Sequence, residues 1–169
     1  MRRESYESTW VIRGFFRDSV DRILMLCMLA LPLTAVGQVQ TDAERLVGDY
    51  TLISYVTFPE AGRAVDMEYV GRLSYYGAGK MSGLGMPSGL PERAREAGSR
   101  LTGGFAYWGT VTVDDEKKIV VHHVEGSPLM PSWVGRDNVR FYEFEGDLLR
   151  LSIKNAEGRT TATLSWRRL

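Results

Sequence analysis

From residue 49 onward, apolar and polar side chains alternate in short runs separated by Gly, Asp, Asn and Pro. Alternation with a period of two marks strands with one buried face, and regularly spaced turn residues mark a meander. The pattern predicts strands at 49–56, 64–68, 70–76, 80–84, 105–113, 119–125, 139–145, 148–154 and 160–167. On the first, Tyr50, Leu52 and Ser54 share one face, and Thr51, Ile53 and Tyr55 the other. Ahead of it, Thr41 with Glu44 three residues on forms a capping box, and Gly48 supplies a stop, so a helix of one or two turns enters the strand. Short turns such as Gly77-Ala78-Gly79 require antiparallel neighbours, and no crossover helices interrupt the series. The expected class is all-β, an antiparallel barrel or sandwich.

Two stretches depart from the alternation. From Met86 to Gly104 the chain is rich in Gly and Pro, with a polar segment Pro91–Ala97 suited to a short helix; this is a flap over the barrel or an exposed connection. The other is Ile23–Gly37, an uncharged apolar run preceded by Arg13, Arg17 and Arg22 and ending in Ala35-Val36-Gly37. It falls short of the roughly 20 residues of a spanning helix. Basic flank, apolar centre and small-x-small end predict a signal peptide over 1–37 with cleavage before Gln38; an uncleaved anchor or a buried helix is the alternative. The barrel domain is then 38–169, exported to the periplasm or beyond, with membrane contact only through the N-terminal segment.

Composition narrows the function. The 169 residues carry 21 basic and 21 acidic side chains with no Lys/Arg cluster, which argues against a nucleic-acid partner. Cys27 is the only cysteine and lies in the apolar run, so the processed domain has no disulfide, thiol nucleophile or cysteine-ligated metal. The two histidines, His122 and His123, are adjacent on one strand and point to opposite faces, so they cannot chelate one ion, and no cofactor motif is present. Ser127 and Ser132 lack the spacing of a nucleophile elbow or triad.

Several segments, in order, carry a resemblance. They are Leu46-Val47-Gly48-Asp49-Tyr50-Thr51-Leu52, Gly71-Arg72-Leu73-Ser74-Tyr75-Tyr76 with Gly79-Lys80-Met81-Ser82, Ala106-Tyr107-Trp108-Gly109-Thr110, Val121-His122-His123-Val124-Glu125-Gly126-Ser127, Trp133-Val134-Gly135, Val139-Arg140-Phe141 and Gly146-Asp147-Leu148-Leu149-Arg150-Leu151-Ser152. From about Leu46 to the C terminus the chain resembles the lipocalin-like domain proteins, small bacterial β-barrels. The resemblance implies a lipocalin-like barrel of about eight to ten strands with an interior pocket. Lipocalins carry Gly-x-Trp on the first strand under a basic residue of the last. Here Gly48-Asp49-Tyr50 stands in that place, and Arg167 or Arg168 is the expected cation over Tyr50.

Face assignment then selects candidates for the pocket. Tyr107, Gly109, Val111 and Val113 share a face taken as inward, as do Leu73 and Tyr75. Hydrophobicity does not separate His122 from His123; the family pattern favours His122 as the inward one. Arg140 faces in with Tyr142 and Phe144, or lies on the surface with its stem over aromatics. Trp133 roofs the barrel mouth or staples its loop. The candidate ligand-binding set is Tyr75, Met81, Tyr107, His122, Trp133 and Arg140, serving a small hydrophobic or amphipathic molecule. The alternatives are an isomerase or cyclase with His122 as general acid or base, and a structural or interaction module.

Overall fold

The computed structural model describes residues 40–89 and 103–169. The apolar N-terminal run, its expected cleavage point and the expected helix at Pro91–Ala97 lie outside the described residues. A helix α1 (Asp42–Leu46) precedes nine strands: β1 (Gly48–Thr57), β2 (Val65–Asp66), β3 (Tyr69–Tyr76), β4 (Lys80–Pro87), β5 (Phe105–Asp114), β6 (Ile119–Gly126), β7 (Asp137–Glu145), β8 (Leu148–Lys154) and β9 (Thr160–Arg168). Strand β4 runs through Met86 and Pro87, where the sequence pattern placed the start of the break. The expected second strand shrinks to two residues.

Each strand from β3 onward pairs antiparallel with the next, and β1 pairs with both β3 and β9, closing eight strands into a barrel. Strand β2 is the addition, hydrogen-bonded only to the end of β1. Closure depends on an irregularity in β1. Leu52 opposes Trp166 and Ser54 opposes Ser165, so Ile53 is an extra residue without a counterpart. A bulge of this kind shifts the inward phase by one. Ile53 is exposed and Tyr55 reaches the barrel interior with Tyr50 and Leu52, which corrects the placement of Tyr55 opposite those two.

The helix closes one end of the barrel. A five-residue helix has no stability of its own, and four contacts hold this one. The capping box forms, with Thr41 Oγ1 accepting from the Glu44 amide at 3.2 Å and the Glu44 carboxylate accepting from the Thr41 amide at 2.8 Å. Leu46 is buried in the core, and its carbonyl accepts the Tyr50 hydroxyl at 2.8 Å. Arg168 lies over the Tyr50 ring, 4.9 Å from its centroid, and donates to Val47 O and to Tyr50 Oη, each at 2.7 Å, and to Arg45 O. Arg168 is thus the basic residue of β9 that caps the aromatic plug. Gly48 sits beneath it at φ +150°, where a Cβ would fall 2.2 Å from an Arg168 nitrogen.

The fourth contact is Asp42, a buried carboxylate on α1. It accepts from Lys118 Nζ, from Tyr142 Oη at 3.0 Å and from Arg45 Nη1 at 3.1 Å, joining the helix to the β5–β6 turn and to β7. The hydrogen bond from Lys118 holds the Asp42 carboxyl below its ordinary value, against the opposing effect of burial. A carboxyl whose pKa is lower folded than unfolded stabilises fully above the unfolded value of 3.8, and loses that contribution as pH falls through the folded value. Asp42→Ala is therefore expected to cost about 1–3 kcal/mol in urea unfolding at pH 7. The gap from the wild type should narrow in acid below the ordinary carboxylate pKa; a gap that persists there would show that Asp42 acts through packing alone.

Candidate ligand-binding site

The middle of the barrel holds one imidazole. His122, on β6, is 1% exposed and lies between Tyr75 of β3 and Tyr107 of β5. Its Nε2 is 2.7 Å from Tyr75 Oη and its Nδ1 is 2.8 Å from Tyr107 Oη. Both nitrogens are satisfied, which a buried polar group requires. Burial foremost, with the Arg140 cation and then His123 adding to it, pushes the His122 pKa down to about 3. The ring is neutral at physiological pH and offers one donor and one acceptor.

Beyond this network, toward the end of the barrel away from α1, the side chains line a partly open cavity of about 100 Å³. Its walls are mainly apolar, with Leu73, Phe105, Leu151 and Leu164 among them. Gly83 contributes bare backbone: a Cβ there would make only ordinary contacts with Leu73, Met81 and Tyr107, between 3.4 and 3.6 Å, so anything larger than alanine would project into the space. Trp133, in a 3-10 turn at Pro131–Trp133, packs edge-on against Tyr107 with centroids 5.4 Å apart and lines the cavity from the β6–β7 loop. Ser127 anchors that loop, donating to Ala106 O at 2.8 Å and accepting from the Met130 amide at 3.1 Å.

Arg140 is the only charged residue on the cavity wall among the described residues. It is half-buried on β7, donates to its neighbour's carbonyl Val139 O at 2.8 Å, and shares the inward face with Tyr142. Its positive charge reaches four titratable side chains of the barrel interior. It lowers the pKa of His122 and opposes the rise that burial imposes on Tyr55, Tyr75 and Tyr107.

Of the six residues expected at a pocket, Tyr107, Trp133 and Arg140 stand on the cavity wall. Tyr75, Met81 and His122 are buried behind it: Tyr75 and His122 form the hydrogen-bonded backing of Tyr107, and Met81 fills the core beside Gly83. His123 points outward, where it meets Asp137 at 2.7 Å and Thr112 at 3.0 Å on the outer face of the barrel. The wall also includes Tyr55, Phe105, Gly83 and Trp166, which sequence reading did not select. Alternation on β4 and β9 pointed to Gly83 and Trp166, each in phase with a buried residue. Tyr55 was hidden by the bulge at Ile53.

Residues 47–169 match the lipocalin-like domain family. The chain belongs to that family. No curated protein matches it. Among solved structures it is similar to that of an uncharacterized protein from Bacteroides eggerthii DSM 20697, at 16% identity and a TM-score of 0.42, covering 73% of this chain and 99% of that one. Membership in the lipocalin-like family accords with an interior that takes a small molecule.

The buried imidazole makes the stability of this lipocalin-like barrel depend on pH. The folded pKa of about 3 lies below the unfolded 6.5, so between these values the unfolded chain binds the extra proton. Stability is complete above about pH 6.5 and falls on acidification, by as much as about 1.4 kcal/mol per pH unit from this group. Urea unfolding from pH 7.5 to pH 5 should show that slope in the wild type and a shallower one in His122→Gln; equal slopes would refute a neutral buried His122.

Proposed function

We propose that this is an exported lipocalin-like protein that holds a small, partly apolar molecule inside its barrel. The mainly apolar, partly open cavity with one cationic residue on its wall carries the reading. Apolar walls provide binding energy through burial, while few polar groups fix orientation. At about 100 Å³ the cavity is smaller than an engineered one of about 150 Å³ that accommodates benzene, so the guest is compact and extends into the cavity's open side. Export is supported by the apolar run Ile23–Gly37 behind its arginines.

General acid–base catalysis by His122 finds less support. Both ring nitrogens are engaged by buried tyrosines, the pKa of about 3 makes a weak base, and the ring is not on the cavity wall. An interaction role has one observation in its favour. Val70, Leu84, Met86 and Trp108 on β3 to β5 are exposed apolar side chains, the last two of these strands presenting Leu84 and Trp108 about half uncovered.

Native mass spectrometry of the protein recovered from its own host tests the binding and export readings together. The expected species begins at Gln38 and carries a small bound mass that Gly83→Leu loses while remaining folded by circular dichroism. A chain that begins at Met1 overturns cleavage before Gln38. A bound mass unaffected by Gly83→Leu overturns the cavity as its location.

A further inference from the structure

The hydrogen-bond network behind the cavity has a direction. Tyr75 is fully buried, and among the described residues its hydroxyl meets one hydrogen-bonding atom, His122 Nε2. An O–H proton buried without an acceptor is costly, so Tyr75 donates to Nε2. A neutral imidazole with Nε2 accepting carries its proton on Nδ1, and Nδ1–H then donates to Tyr107 Oη at 2.8 Å. Tyr107 receives that bond and, among the described residues, keeps its own O–H free, on the wall of the cavity.

The other polar groups of that wall have the same sense. Arg140 has five N–H donors and no acceptor, and among the described residues no carboxylate pairs with it or lines the cavity. Trp166 lines the cavity too, and its buried Nε1–H has no hydrogen-bond partner among the described residues. An indole nitrogen only donates, so no reorientation turns it into an acceptor. Among the described residues the pocket is thus rich in donors, with a cation among them and no anion.

Resting on the binding role proposed above, we infer that the guest is a compact monocarboxylate, its carboxylate held by Arg140 and the Tyr107 hydroxyl and its apolar body between Phe105, Leu151 and Leu164. A carboxylate accepts only, and the guanidinium fork and a hydroxyl match its two oxygens. The apolar surroundings favour a single head group over a multiply charged one, because each further buried charge needs its own partner. His122 is a positioning residue here: it fixes the direction of the Tyr107 proton without touching the guest.

Fluorine NMR titrations of the full chain with fluorobenzene, 4-fluorobenzoate, 4-fluorobenzamide and 4-fluorobenzylamine test this. The benzoate is expected to bind about 10- to 100-fold tighter than the benzamide, the range of a charge-assisted hydrogen bond, and the amine weakest of all. Arg140→Gln should erase the preference for benzoate over benzamide while fluorobenzene binding persists, and Tyr107→Phe should reduce it. Fluorobenzene binding with no benzoate preference would overturn the carboxylate inference and leave the cavity reading standing. Binding of none of the four to a folded protein would overturn both.

Discussion

The imidazole of His122 joins three strands that are not all neighbours: its own β6, the adjacent β5 through Tyr107, and β3 through Tyr75. A polar ring in that position is tolerated only when both nitrogens are bonded. This demand fixes the tyrosines' rotamers and brings the far walls of the barrel to a set separation. Val120 and Val124, one step away along the same face, are almost fully buried and pack around it. The polar crosslink and its apolar surroundings separate the part of the interior closed by α1 from the part that holds the cavity lined by Arg140.

That division assigns different work to the two ends. At the helix end, Asp42, Arg168 and Tyr50 make a dense set of hydrogen bonds between elements distant in sequence. At the opposite end, Tyr107, Trp133 and Arg140 border the cavity, and Gly83 leaves space that any larger side chain would occupy. The polar groups of the closed end satisfy one another. Those of the open end are partly unsatisfied, with donors in surplus.

Strand positions were legible in the sequence because turn residues punctuate a period-two pattern, and most strand ends fell within two residues of those observed. Faces were legible where apolar and polar residues separate cleanly, as along Tyr107 to Val113. They were not legible at His122 and His123, where valines flank both faces and only the family pattern distinguished them. On β1 the bulge at Ile53 reversed the phase, and no single chain announces such a bulge, since it serves a closure that depends on β9. The candidate site was half legible. Tyr107, Trp133 and Arg140 were found by residue type and spacing, whereas the wall formed by Tyr55, Phe105 and Trp166 depends on how strands far apart in sequence curve together.

The pairing of β1 with β9 also bears on how the molecule assembles. This seam joins the first and last strands, so it closes a loop of nearly the whole domain, whereas the hairpins from β3 through β9 form between sequence neighbours. Contacts of such high sequence separation slow folding, because the entropy of ordering the chain is lost before they form. Until the seam closes, β9 exposes an edge of unpaired backbone groups capable of pairing with another chain. Arg168, at the end of β9, cannot reach Tyr50 and the α1 carbonyls before that moment. The cation that caps the aromatic plug in the finished barrel is therefore also the latch of the last step, and the ring it covers records whether the circle has closed.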